Sequence, residues 1–167
     1  MDTRVDRRMV AELEKLPRPL KAPVERWHES LAAEHDVSAM PEDCVGQLLR
    51  VVACSDYAAA TVLREWDWLV RRVATFDTPN VDFMSDLARI ESDASLDDVK
   101  ATFRRTRQRG MLRILWREVC GIASLDETLA ELSDLADAML DSATHHAQRL
   151  LAPRYGHAVT DGGQRIP

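Results

Sequence analysis

Apolar residues recur at helical spacing along most of the chain, and prolines and capping residues divide this pattern into segments. An amphipathic segment over residues 5–16 ends at Pro17 and Pro19, because proline lacks the amide hydrogen that a helix interior needs. The next helix is predicted from Pro23 to about His35. The apolar residues of its buried face are Val24, Trp27, Leu31 and Ala32.

Two further helices are predicted between Pro41 and Phe76. Ser55 and Asp56 are residue types that cap helix N-termini, so one helix ends near them and the next one begins there. The composition of residues 77–80 predicts a turn. A shorter helix follows, with the apolar residues Phe83, Leu87 and Ile90.

Capping boxes mark the two longest helices. Ser95 with Asp98 opens a helix that ends near Gly121, where glycine supplies a left-handed C-terminal residue. Ser124 with Glu127 opens the next helix after a very short connection. The apolar residues assigned to this helix are Leu125, Leu129, Leu132, Leu135, Ala136, Met139, Ala143 and Leu150. The sequence therefore predicts an all-α fold, a helical bundle ending in an antiparallel hairpin of two long helices.

The pattern of apolar residues differs between three regions of the chain. Residues 1–40 are predicted to form a loose helical leader, and residues 41–152 a helical bundle domain. Residues 153–167 are predicted to be a linker or tail, because the apolar periodicity stops and glycines appear there.

Composition narrows the class of protein. The chain has 167 residues, 46% of them apolar and 30% charged, which suits a domain with a sizeable core. Its net charge of −6 argues against a nucleic-acid partner. The N-terminus does not resemble a signal peptide, and no long apolar run predicts contact with a membrane. We therefore expect a cytoplasmic protein.

Few side chains are arranged as catalytic or metal-binding groups. The odd, wide spacing of Cys44, Cys54 and Cys120 predicts reduced, buried thiols. His145 and His146 point about 100° apart on a helix, so a structural role is favoured over metal binding. His28 and His35 share a face without an evident partner, and they too are interpreted as structural. No nucleophile elbow or phosphate-binding glycine loop is present.

Trp66 and Trp68 lie close together in a predicted helix. They are predicted to close the core of the bundle, with an interaction patch as the alternative.

A row of arginines is the strongest charge feature. Arg105, Arg109, Arg113 and Arg117 recur every four residues on one predicted helix, and they are the candidate residues for contact with an anion or another domain.

Ion pairing within the hairpin is the favoured alternative for these arginines. Folding the hairpin about residue 122 would place Arg117 opposite Glu127 and Arg113 opposite Glu131, with Arg109 near Asp134. The predicted ladder would lie along a solvent-facing seam, where each exposed pair contributes about 0–1 kcal/mol.

Several stretches resemble a known enzyme family. Residues 103–118 read FRRTRQRGMLRILWRE, and residues 122–129 and 132–138 read IASLDETL and LSDLADA. They resemble the glutamine synthetase adenylyltransferase family, with its R-R-x-x-x-M-L-R-I-x-W-R segment followed by L-x-x-T-L-x-x-L-S-x-L-A-D-A. Residues 55–57 and 68–69 are similar to the family's S-D-F and W-L positions. The resemblance extends over roughly residues 48–156, and Gly110 departs from it because a charged residue is expected there.

This resemblance implies a bifunctional parent enzyme. One half of such an enzyme transfers AMP from ATP to a tyrosine of glutamine synthetase, and the other half removes it, in control of nitrogen assimilation. Each half has a nucleotidyltransferase fold whose G-S-x-x-D-x-D aspartates hold Mg²⁺. ATP and Mg²⁺ are thus the implied cofactors of the full-length enzyme. Glutamine synthetase and a PII-type signalling protein are its implied partners.

The catalytic motif of that family is missing from this sequence. The chain contains no Gly-Ser pair, so we assign it no catalytic and no metal-binding residue. It is expected to be the N-terminal, non-catalytic helical region, cut before the nucleotidyltransferase motif and inactive alone. The alternatives are a stand-alone helical interaction module without an enzymatic parent and, less favoured, an RNA-binding domain that uses the arginines.

Overall fold

The computed structural model describes residues 7–78, 87, 90 and 94–164. Within these residues the chain forms six α-helices and two short 3-10 helices, which confirms the predicted all-α class. The α-helices are α1 (Arg7–Leu13), α2 (Arg18–Glu34), α3 (Glu42–Cys54), α4 (Asp56–Arg72), α5 (Leu96–Val119) and α6 (Leu125–Tyr155). The 3-10 helices are η1 (Val37–Ala39) and η2 (Val73–Thr75). The predicted short helix after residue 80 falls outside the described residues, apart from positions 87 and 90.

The predicted helix starts are confirmed by hydrogen bonds at their caps. Ser55 Oγ accepts the amide of Ala58 at 3.2 Å, and Ser95 Oγ accepts that of Asp98 at 3.2 Å. At the start of α6, Ser124 Oγ accepts the amide of Glu127 at 3.3 Å, while Glu127 Oε2 accepts the Ser124 amide at 2.7 Å. These bonds from Ser124 lower the pKa of the Glu127 carboxyl. Capping residues therefore set these boundaries locally.

Helix α2 begins five residues earlier than predicted. It starts at Arg18 after Pro17, with Pro19 in its first turn and Pro23 inside it. A proline in the first turn costs no hydrogen bond, because the amides there have no partner within the helix. Pro23 is tolerated inside α2, whose buried residues are Val24, Trp27 and Leu31.

The chain divides into two compact units. Unit 1 comprises residues 1–81 and 108–132, and unit 2 comprises residues 82–107 and 133–167. In unit 1, α3 contacts α1, α2 and α4. The unit 1 core includes large side chains from each of these helices and from the second half of α5, among them Met9, Trp27, Leu31, Leu48, Leu49, Trp66, Leu69, Leu112 and Trp116. Whether residues 1–40, 41–152 and 153–167 form separate regions stays a prediction.

The apolar face predicted for α6 is partly wrong. Leu135 is buried as the periodicity predicts, but the other predicted residues that are exposed are Leu125, Leu129, Ala136, Ala143 and Leu150. Ala138, which was not assigned to this face, is buried. The buried positions in the first turns of α6 are instead the polar Thr128 and Glu131. The antiparallel hairpin over the full length of α5 and α6 stays a prediction. No helix in the described part of the chain is long and apolar enough to cross a membrane.

The three cysteines differ in exposure, which corrects the expectation that all are buried. Cys44 is buried, Cys120 is half-buried and Cys54 is exposed, all as free thiols. Burial raises the pKa of Cys44, and it raises that of Cys120 to about 11.

Thiol labelling is expected to distinguish these positions. At pH 8 a maleimide should modify Cys54 quickly and Cys120 slowly, because a thiol with a pKa about 11 is almost entirely protonated there. Mass spectrometry after timed quenching would follow each site, with Cys54→Ser as the control that removes the fast phase. Equal rates at Cys54 and Cys120 in the folded protein would contradict this assignment.

Candidate functional site

Three of the four candidate arginines lie in unit 1, on the second half of α5. Arg109, Arg113 and Arg117 follow one another at single-turn spacing, so their side chains lie on one side of the helix. Arg113 and Arg117 are 3% and 1% exposed, although arginine is rarely buried unless it is paired. Arg105 belongs to unit 2 and is exposed.

Arg113 and Arg117 share one buried carboxylate. Arg113 Nη1 donates a hydrogen bond to Glu131 Oε2 at 3.1 Å, and Arg117 Nε lies 3.0 Å from Glu131 Oε1. Glu131 is 7% exposed and lies in the second turn of α6. We call these three residues the arginine–glutamate cluster. It holds two cations and one anion away from water.

A main-chain carbonyl accepts a further hydrogen bond from each guanidinium group of this cluster. Arg117 Nη1 donates to the carbonyl of Phe76 at 2.7 Å, and Arg113 Nη2 donates to the carbonyl of Thr78. The guanidinium carbon of Arg113 also lies 5.9 Å from the centre of the Phe76 ring, within cation–π range. The cluster therefore binds α5 and α6 to the segment that follows η2.

The electrostatics of Arg113 reflect this enclosure. Burial lowers the pKa of the Arg113 guanidinium, the carboxylate of Glu131 opposes this effect, and the neighbouring charge of Arg117 adds to it. Glu131 is thus the group that compensates the burial of both cations.

Arg109 makes a separate contact with α4. Its Nε and Nη2 atoms lie 2.7 and 2.6 Å from Glu65 Oε2, and its guanidinium carbon lies 5.3 Å from the centre of the Trp68 ring. Glu65 has non-helical backbone angles, φ −115° and ψ 24°, within α4. The Arg109 side chain therefore contacts α4 at its one irregular position among the described residues.

One pair of the predicted ion-pair ladder is confirmed, whereas the other partners and the solvent exposure of the ladder are corrected. Arg113 pairs with Glu131 as predicted, but Arg117 pairs with the same carboxylate. Arg109 pairs with Glu65, which the sequence pattern did not indicate. The arginine–glutamate cluster is buried, so the expectation of a solvent-facing seam is wrong. Contact of these arginines with an external anion or domain stays a prediction, and Arg105 is the exposed residue among them.

The other candidate groups have structural surroundings. Trp66 is buried in the unit 1 core and Trp68 packs against it, which confirms the predicted core role. His35 Nε2 lies 3.0 Å from the carbonyl of Leu63. Across the described ranges, no group of three or more histidine, cysteine, aspartate or glutamate side chains is placed to hold a metal ion.

Comparison with known proteins decides the family. A family model for glutamate-ammonia ligase adenylyltransferase matches residues 45–166, which is more than half of the chain. The chain belongs to this family. The match includes the whole arginine–glutamate cluster.

Curated members of the adenylyltransferase family give the same result. A bifunctional glutamine synthetase adenylyltransferase/adenylyl-removing enzyme of Pseudomonas aeruginosa is 32% identical over 133 residues, covering 77% of this chain and 14% of the relative. The enzyme of that name from Nitrosococcus oceani is 32% identical over 144 residues, covering 80% of this chain and 15% of the relative. The Shewanella loihica enzyme is 29% identical over 151 residues.

The chain spans about a seventh of the length of these adenylyltransferase relatives. No solved structure gives a significant match to it.

Proposed function

We propose that this chain is a non-catalytic helical part of a glutamine synthetase adenylyltransferase/adenylyl-removing enzyme. The observation that carries the proposal is the family match, taken together with the small share of each relative that the chain spans. In this proposal the chain supports the catalytic parts of the enzyme and does not itself transfer AMP.

The residues of the chain suit support better than catalysis. Phosphoryl-type transfer depends on carboxylates that bind metal ions bridging the phosphates. The family's G-S-x-x-D-x-D motif has no counterpart here, since the sequence has no Gly-Ser pair. The buried arginines are already engaged by Glu131 and by main-chain carbonyls. ATP and Mg²⁺ would therefore be bound by other parts of the full-length enzyme.

An exposed apolar face on α6 supports a docking role. Leu140, Leu151 and Tyr155 are 65%, 53% and 67% exposed and lie on one side of the helix, which we call the α6 outer face. Apolar side chains grouped in this way mark contact surfaces. Because the chain matches only about a seventh of the length of its relatives, we propose that the remainder of the same enzyme covers this face.

The partner proteins that we propose are based on the name of the relatives. Their name states that they act on glutamine synthetase, so we propose glutamine synthetase as the protein that this enzyme modifies. A PII-type signalling protein as regulator and the cytoplasm as location belong to the same proposal.

A graft tests the supporting role. The chain would replace the matching segment of the Pseudomonas aeruginosa enzyme, and AMP transfer to and removal from glutamine synthetase would be measured with ATP and Mg²⁺. We expect the graft to be active and the isolated chain to be inactive. Changing both Leu151 and Tyr155 to serine in the graft should lower its activity at least tenfold, because the α6 outer face would lose its apolar contacts.

The matched control for this graft is Arg149→Ser, which changes an exposed residue on the opposite side of α6 and should leave activity unchanged. Activity of the isolated chain would overturn the non-catalytic assignment. A folded graft no more active than the enzyme with the segment deleted would overturn the supporting role.

A further inference from the structure

An apolar groove lies between the first half of α5 and the second half of α6, inside unit 2. Its volume is about 400 Å³, within the range of small-molecule sites. Apolar side chains form most of its wall, and we call it the α5–α6 groove. The lining residues among those described are Leu96, Val99, Lys100, Phe103, Arg104, Ala143, His146, Ala147 and Leu150.

Every polar side chain in this wall can donate a hydrogen bond. Lys100 and Arg104 lie one turn apart on α5, and His146 stands on α6. Lys100 Nζ lies 3.7 Å from Asp97 Oδ1, but both side chains are mostly exposed, so a competing anion displaces this pair at little cost. No carboxylate is among the described lining residues. The charge of the groove is therefore complementary to an anion.

His146 adds a second and independent observation. Its Nε2 atom is buried and has no hydrogen-bond partner among the described residues. A buried polar atom without a partner is unfavourable, so such atoms in folded proteins call for an explanation. Rotation of the His146 ring about its side-chain bonds would bring this nitrogen to the groove surface, where an oxygen acceptor on a bound molecule would supply the missing partner.

We propose that the α5–α6 groove binds a small carboxylic acid with an apolar body. The apolar part would lie against Val99, Phe103 and Leu150, and the carboxylate would accept hydrogen bonds from His146 and from the cation of Arg104. The residues of this site belong to unit 2, whereas those of the arginine–glutamate cluster belong to unit 1. It gives the chain a ligand of its own, independent of whether the chain supports adenylyl transfer.

Calorimetric titration of the full chain with octanoate tests the proposal. Octanoate should bind at least tenfold more tightly than acetate, because acetate lacks the apolar body. It should also bind at least tenfold more tightly than octyltrimethylammonium, which carries the opposite charge. Arg104→Gln should weaken octanoate binding by up to about fivefold, and His146→Ala by about tenfold, because one charge-assisted hydrogen bond is lost in each. Arg107→Gln, an exposed cation on α5 outside the groove, should leave binding unchanged.

A pair of adjacent substitutions locates the site. Ala143→Trp would fill the α5–α6 groove and should abolish octanoate binding, whereas Thr144→Trp next to it does not line the groove and should not. Both positions are exposed, so both variants should fold, which circular dichroism would verify. The proposal is overturned if octanoate and octyltrimethylammonium bind equally, if Arg104→Gln and His146→Ala both bind like the unchanged chain, or if both tryptophan variants bind alike.

Discussion

Replacing Glu131 by glutamine is expected to lower the free energy of unfolding by about 3–5 kcal/mol. The substitution keeps the size of the side chain but removes the negative charge that Arg113 and Arg117 share. Both guanidinium groups are buried, so neither can turn to water for compensation without opening the core. Urea unfolding followed by circular dichroism at 222 nm would measure the change, since this signal reports helix content.

The matched control for Glu131→Gln is Asp137→Asn, which removes a carboxylate from an exposed position of the same helix. Its effect should stay within about 0.5 kcal/mol. If the two variants unfold at the same urea concentration, the arginine–glutamate cluster does not depend on its carboxylate and the assignment fails.

Replacing Trp116 by alanine is expected to cost about 3–5 kcal/mol. The indole is completely buried on α5 and meets the ring of Phe76 edge-on, with the ring centres 5.8 Å apart. Its Nε1 donates a hydrogen bond to Gln47 Oε1 at 2.8 Å, which connects α5 to α3. Alanine would leave a cavity in the unit 1 core and would remove the donor that the half-buried Gln47 side chain accepts from. Urea unfolding again provides the measurement.

Two further variants distinguish the contribution of packing from that of hydrogen bonding at Trp116. Trp116→Phe keeps a ring against Phe76 but loses the bond to Gln47, so about 1–3 kcal/mol should be lost. Tyr57→Ala removes an exposed aromatic ring from α4 and should have little effect. A Trp116→Ala variant as stable as Tyr57→Ala would show that the indole does not hold the core together.

The helix boundaries could be predicted where the physical cause is local. Ser55, Ser95 and Ser124 each bind an amide only three residues further on, so the sequence contains donor and acceptor together. Gly121, at φ 68°, shows the left-handed conformation that was predicted for it. The start of α2 was predicted too late, because Pro23 was interpreted as the beginning of a helix that continues through it.

The surroundings of the arginines could be predicted only in part. The pair of Arg113 with Glu131 follows from helical spacing and a short connection, and it was predicted. Glu65 lies 44 residues from Arg109, and nothing in the local pattern singles it out from the other carboxylates. The carbonyls of Phe76 and Thr78 are main-chain groups that every residue carries. The burial of Arg113 and Arg117 was not predicted either, because a row of arginines in a sequence normally indicates a solvated surface.

Burying two arginines with one glutamate changes the charge that the folded chain presents to its surroundings. The formal net charge of −6 counts all three residues, although they are enclosed and carry a net positive charge between them. The solvent-facing surface is therefore one unit more acidic than the composition indicates. Only these exposed groups can contact a partner directly, whereas the long-range field, which falls off over about 8 Å at physiological ionic strength, still depends on the whole net charge. Phosphate polymers that touch the protein therefore meet an acidic surface, because two of the four candidate arginines are enclosed in the interior.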